Sequence, residues 1–151
     1  MSSEYQHILI AADFSKHGQA ICQKARALAE RHQAKLSICH IVEDFPLTDF
    51  AYEPMISVDI DMRDALLDAG KKQLAKLAAS LNIPEQQQWA ECGSPSTDIV
   101  RLADDNDVDL IVVGSHGRHG IQLLLGSTAN AVLHHAHCDV LAVRLQDTRS
   151  A

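Results

Sequence analysis

Hydrophobic positions fall into short solid runs separated by longer stretches of helical period. His7-Ile-Leu-Ile-Ala-Ala12 is an apolar run of strand length, the pattern of a strand covered on both faces, as in a parallel sheet. Asp13-Phe14-Ser15 ends it, and Ser15 is placed to cap the helix that follows. From Lys16 to Arg31, Ile21, Ala25, Leu28 and Ala29 recur at helical spacing. Lys35 to Val42 reads as a second strand, ending at acidic Glu43-Asp44. Residues 45–60 carry Pro46 and Pro54 without a clear period and read as a long excursion. Asp61 to Leu81 is then a helix with Leu67, Leu74, Leu77, Ala78 and Leu81 on one stripe.

Pro84 separates that helix from a weaker strand, Gln87 to Cys92. Gly93-Ser94-Pro95 turns the chain into a helix with Pro95 at its first position, running to about Asp105. Asp109 to Gly114 is the strongest strand pattern. A glycine-rich loop over 114–126 leads to a helix from Ser127 to about His137, and Cys138 to Leu145 makes the last strand. The order β-α-β-α-β-α-β-α-β predicts a doubly wound α/β fold around a parallel sheet. Ligands of such sheets lie beyond the carboxyl ends of the strands, at the switch point. The loops after the first, second and fourth strands are therefore the place to look.

With 151 residues the chain suits a single domain, 1–151, with its core over about 5–145. Lys plus Arg is 13 against 20 Asp plus Glu, a net charge of −7, which argues against a nucleic-acid partner that needs clustered positive charge. No run approaches the length of a membrane span. The opening Met-Ser-Ser-Glu-Tyr-Gln-His lacks the basic and apolar regions of a signal peptide. No membrane partner and a cytoplasmic location are the expectation. Cys22, Cys39, Cys92 and Cys138 are widely spread, with no C-x-x-C pair, so free thiols are favoured over a disulfide framework.

The candidate chemistry lies in Gly114-Ser-His-Gly117-Arg118-His-Gly120-Ile-Gln-Leu-Leu-Leu-Gly126-Ser127-Thr128. Glycines let backbone approach a ligand closely. The free amides and dipole at the start of the following helix favour anions such as phosphate. Ser127 adds a hydroxyl and Arg118 a charged donor. There is no G-x-x-x-x-G-K-[ST] P-loop and no G-x-G-x-x-G fingerprint. A loop that merely packs helix on sheet is the competing structural reading.

Taken in order, these fragments resemble the universal stress protein family: His7 to Ser15, His40-Ile41-Val42, Gly93-Ser94-Pro95, Val112 to Gly117, Leu124 to Ser127, and His137 to Val143. The resemblance runs from about His7 to Leu145. It implies a five-stranded sheet of order 3-2-1-4-5 with helices on both faces, like that of the adenine-nucleotide alpha hydrolases. It also implies an ATP site, or one for another adenine nucleotide, of pattern G-x-x-G, nine residues, G-[ST]. Ala11 would line the base pocket, the Ile41 backbone would meet the adenine, and Asp13 would face the ribose or a bridging Mg²⁺. Gly114, Gly117, Arg118, Gly126, Ser127 and Thr128 would surround the phosphates. Here only eight residues, 118–125, separate Gly117 from Gly126. The resemblance further implies a homodimer through the last strand, with Val140, Leu141, Ala142 and Val143 at its interface.

His134, His135, His137 and Cys138 are close in sequence, but on a helix 134 and 137 share a face and 135 does not, so a helix-end role is preferred to zinc. His116 and His119 lie in the glycine loop, where they suit phosphate contact or general-base work. His40 reads as a hydrogen-bonded core residue, Asp104-Asp105-Asn106-Asp107 as a solvated helix end, and Glu43-Asp44 as solvent-facing. Asp13 has a plain alternative as a brace for its turn. The expected protein is a nucleotide-binding stress regulator with an unidentified protein partner, and not an enzyme beyond slow ATP hydrolysis. The alternative is an interaction module of the same fold that binds no nucleotide, acting through its dimer surface and segment 45–60.

Overall fold

The structure, a computed structural model, describes residues 4–12, 14, 18–43, 54–115 and 126–144. Its strands are β1 (His7–Ala11), β2 (Lys35–Glu43), β3 (Gln88–Gly93), β4 (Leu110–Gly114) and β5 (Asp139–Val143). Its helices are α1 (Gly18–His32), α2 (Pro54–Ser80), α3 (Pro95–Asp105) and α4 (Ser127–His135). The strands form one five-stranded sheet in the order β3-β2-β1-β4-β5, and every adjacent pair is parallel. Fold class and strand order are those expected.

The solid apolar runs are explained by burial on both sides. Ile8 and Ile10 of β1 face α1 and α2, packing with Ile21, Ala25, Leu74 and Ala78. Leu9 faces the other way, into a cluster with Ile99, Leu102, Ala129 and Val132 of α3 and α4. Alternation within one strand thus feeds two cores, and each fully buried Ile or Leu contributes roughly 1.5–3 kcal/mol.

Segment 45–60 is not an excursion throughout. Its last residues belong to α2, which starts at Pro54 and runs 27 residues to Ser80. Proline has its φ preset for a helix and needs no donor in a first turn, so Pro54 begins α2 rather than breaking the chain. The described residues do not include 44–53. α4 also ends earlier than expected, closed by the Ala136 amide on the Val132 carbonyl at 2.8 Å. His137 therefore lies beyond the helix and shares no helical face with His134.

α3 begins as its turn sequence predicts, with Pro95 in the first position after Ser94. The Asp98 carboxylate folds back to accept the Ser94 amide at 2.9 Å. That approach requires glycine at 93, where a Cβ would stand 2.0 Å from Asp98 Oδ2.

Candidate functional site

β1 is shorter at its carboxyl end than both of its neighbours. Its ladder with β2 reaches Ala11 opposite Cys39 and is extended once, by the Ala12 amide on the Cys39 carbonyl at 2.8 Å. β2 continues to Glu43, paired through this stretch with β3 alone. On the other side the β1 ladder with β4 closes at Ile10 opposite Val112, while β4 runs on to Gly114 beside β5. A notch results at the end of β1, between β2 and β4. This is where the strand order reverses, the crevice in which open α/β sheets bind ligands.

Half-buried Ala11 ends β1 at this step in the sheet. Ile41 stands on the β2 wall with its side chain 8% exposed; only its backbone edge is turned toward the gap left by β1. Gly114, half-buried, ends the β4 wall. Buried Ser115 then ties the next element down: its amide donates to the Val143 carbonyl at 2.8 Å, and its carbonyl accepts the Gly126 amide at 2.6 Å. Gly126 occupies the cap position of α4, and its carbonyl accepts the Asn130 amide at 2.9 Å to open the helix. The amides after Gly126 have no carbonyl to bond within the helix. Ser127 and Thr128 are exposed beside them. The positive end of the α4 dipole is thereby anchored at the end of β4.

Of the expected site residues, Ala11, Ile41, Gly114, Gly126, Ser127 and Thr128 are brought to this one end of the sheet. Asp13, Gly117 and Arg118 lie outside the described residues. So do Ser15, His116 and His119. Ser115 was the residue that sequence reasoning passed over; a small polar side chain directly after the last strand glycine was the available signal. His40 is half-buried, its ring centroid 4.5 Å from that of Phe14. Gly70 of α2 approaches it so closely that a Cβ there would meet His40 Cδ2 at 2.9 Å.

The described groups around the notch suit an adenine nucleotide: backbone edges for the base and a helix start for anionic oxygens. Asp13, the residue that would hold Mg²⁺, is not among them. Nor do the described residues contain a group of three or more His, Cys, Asp or Glu able to hold a metal ion. His134, His135 and His137 are exposed, and His137 Nδ1 pairs with Asp104 Oδ2 at 2.8 Å. None of the four cysteines is joined in a disulfide. Burial pushes Cys39 up to about 12. Burial, reinforced by Asp104, Asp139 and Asp109, pushes Cys138 up to about 11, so both stay protonated and unreactive at neutral pH.

The opposite end of the sheet is closed by side chains. Asp109 accepts the amides of Gln6 at 2.9 Å and His7 at 3.0 Å. His7, 5% exposed, lies 2.9 Å through Nδ1 from the Asn106 carbonyl and 2.7 Å through Nε2 from the Ser37 hydroxyl. The carbonyl can only accept, so Nδ1 carries the proton and Nε2 accepts from Ser37. Burial outweighs that hydrogen bond and lowers the His7 pKa. The Tyr5 hydroxyl donates to Asp139 at 2.8 Å, and this bond, ahead of burial, raises the Tyr5 pKa.

An all-parallel sheet of order β3-β2-β1-β4-β5 with helices packed on both faces defines the class, a doubly wound α/β protein whose strand order reverses at β1. The universal stress protein family model matches residues 4–144. Universal stress protein A homolog 2 of Coxiella burnetii is 43% identical over 143 residues, 94% of this chain and 97% of that protein. The chain belongs to the universal stress protein family. Among solved structures, universal stress protein UspA from Lactobacillus plantarum superposes with a TM-score of 0.79 at 25% identity, covering 96% of this chain and all of that one (100%). A universal stress protein crystallised in complex with cAMP superposes with a TM-score of 0.65 at 26% identity, covering 95% of this chain and 100% of that one.

Proposed function

We propose that this universal stress protein is a cytoplasmic, homodimeric regulator that binds an adenine nucleotide, ATP with Mg²⁺, at the notch beyond β1. The observation that carries the reading is the short β1 between two longer strands, with the α4 start fastened beside it by Ser115. A related universal stress protein solved with cAMP supports the adenine part of the assignment. In this reading the base lies along the Ile41 backbone over Ala11. The phosphates meet Gly114, Gly117, Arg118, Gly126, Ser127 and Thr128, and Asp13 faces the ribose or the metal. Mg²⁺ would supply charge neutralisation between the phosphates and Asp13. Binding, rather than turnover, is the role, because the chain has no P-loop lysine. The bound nucleotide would shift the dimer's affinity for a protein partner.

The dimer would form along β5, an edge strand paired among the described residues with β4 alone. Val140, Leu141 and Ala142 are half-buried there, while Val143 is buried in the core, so Val143 would take part through its backbone. An open apolar edge is a pairing surface unless covered.

Calorimetric titration of the purified protein with ATP, with and without Mg²⁺, tests the proposal. One saturable site per chain, lost in Gly117→Val and in Gly126→Val, is expected. Unchanged affinity in both variants contradicts the site. The eight-residue spacing between Gly117 and Gly126 favours a second reading, a nucleotide-independent interaction module. An intact dimer with no binding at millimolar ATP would establish that reading instead.

A further inference from the structure

α2 has two apolar faces, and among the described residues only one is buried against the sheet. Leu74 and Ala78 are buried against the sheet, and Gly70 lies against His40 and Val42 near the end of β2. A second face is exposed. Met62 is 51% and Leu66 42% exposed, with exposed Ala65 and Ala69 beside them. Positions 62, 65, 66 and 69 follow the i, i+3, i+4, i+7 spacing of a single helical stripe. Among the described residues the other large exposed apolar side chain, Leu133, stands alone on α4. The parallel pairing of β2 with β3 obliges α2 to run back against the strands, so the turns before Gly70 extend past the end of β2. The stripe therefore projects from the body of the domain.

Charge selects what covers it. Exposed Asp61, Asp64 and Asp68 occupy the N-terminal side of Ala69, and exposed Lys71, Lys72 and Lys76 the C-terminal side. An isologous twofold contact requires a surface complementary to itself. With the axis between Leu66 and Ala69, an antiparallel second copy of α2 sets Asp61, which flanks the stripe, opposite Lys72 of the copy on the same flank. The apolar stripes then lie against each other. A parallel copy would set carboxylate on carboxylate. Lys72 is free to change partners, because its pair with Asp68, 3.4 Å apart, has both side chains mostly in solvent.

We propose that the exposed face of α2 is a self-association surface, on which a second copy of this chain docks antiparallel through Met62, Leu66 and the flanking Asp61–Lys72 pairs. The contact is separate from β5 and does not depend on nucleotide. A pair of helices supplies less area than a standard protein interface, so the association is weak, reversible and salt-sensitive.

The test is sedimentation velocity of the full chain over a range of concentrations, at low and high salt, with circular-dichroism melts confirming each fold. Leu66→Glu is expected to weaken association at least tenfold without lowering the melting temperature. Asp61→Lys and Lys72→Asp should each weaken it, and the two together should restore it, since the swap re-forms the pair across the axis. Leu66→Glu that sediments like the parent at every concentration would overturn the proposal, as would a double swap that fails to recover. If the parent forms a dimer and larger species, loss of the larger species alone in Leu66→Glu supports the α2 contact and leaves the β5 dimer standing. If Leu66→Glu is a monomer at all concentrations, α2 is the dimer contact and the β5 assignment fails.

Discussion

The two ends of the sheet are built from different materials. At the amino end, side chains bind backbone: Asp109 holds the Gln6 and His7 amides, and His7 bridges Asn106 and Ser37. Gln87 donates to the Leu36 carbonyl and Arg26 to that of Leu81. At the carboxyl ends of β1 and β4 the described ties are backbone to backbone, Ala12 to Cys39, Ser115 to Val143 and Gly126 to Ser115, whereas beyond β3 the Asp98 side chain accepts the Ser94 amide. Side-chain bonds consume the polar groups of the first end. Backbone ties at the second fix the strands while leaving edges and helix amides available. With the nucleotide placed as proposed, the side-chain network stabilises the end of the sheet where that ligand does not sit.

Substitutions at the amino end should therefore unfold the protein without touching ligand affinity. The largest effect is expected for Asp109→Ala, which orphans two amides bonded to a carboxylate. A loss of about 3 kcal/mol should appear in urea unfolding, with ATP affinity of the folded fraction unchanged. Ser37→Ala leaves the buried His7 Nε2 without its donor and should remove about 2 kcal/mol.

Gly93→Ala, midway in expected effect, drives a methyl into Asp98 and breaks its bond to the Ser94 amide. The expected loss is about 1 kcal/mol, the usual value of a helix cap. His7 adds a pH dependence. Its folded pKa is below the ordinary 6.5, so the unfolded chain takes up the proton first. The stability that His7 contributes is complete above pH 6.5 and is lost as the pH falls from there toward the folded pKa. Melting temperatures across pH 5 to 8, about the range in which histidines titrate, should show that fall in the parent and a shallower one in His7→Gln. At the carboxyl end the pattern reverses. Gly126→Val should change stability by less than about 1 kcal/mol, because Gly126 has φ −63°, open to any L-residue. The same change should weaken ATP binding at least tenfold.

Much of the scaffold was legible because burial on both faces writes itself as solid apolar runs. His7–Ala11 and Leu110–Gly114 are such runs, and α1 showed its buried face in Ile21, Ala25 and Ala29. The start of α2 was hidden by Pro54, which at a first turn signals a beginning as readily as a break. The amino-end network was also missed. His7 reads as part of a strand and Asp109 as the start of one, and no local pattern tells that they meet across 102 residues. Glycine spacing and the family resemblance directed attention to the carboxyl end of the sheet, where β1 stops short of its neighbours. The notch itself depends on where β1 stops relative to β2 and β4, and only pairing reveals that.

The central claim is that the notch beyond β1 holds an adenine nucleotide. The most direct test is an amide NMR titration of the isotope-labelled full chain with ATP and Mg²⁺. Saturable shifts concentrated at Ala11, Ala12, Ile41 to Glu43, Gly114, Ser115 and Gly126 to Thr128, with the amides of Gln6, His7 and Asp109 unmoved, are the expected result. A spectrum unchanged at millimolar ATP, or shifts gathered at the amino end of the sheet, would contradict the account.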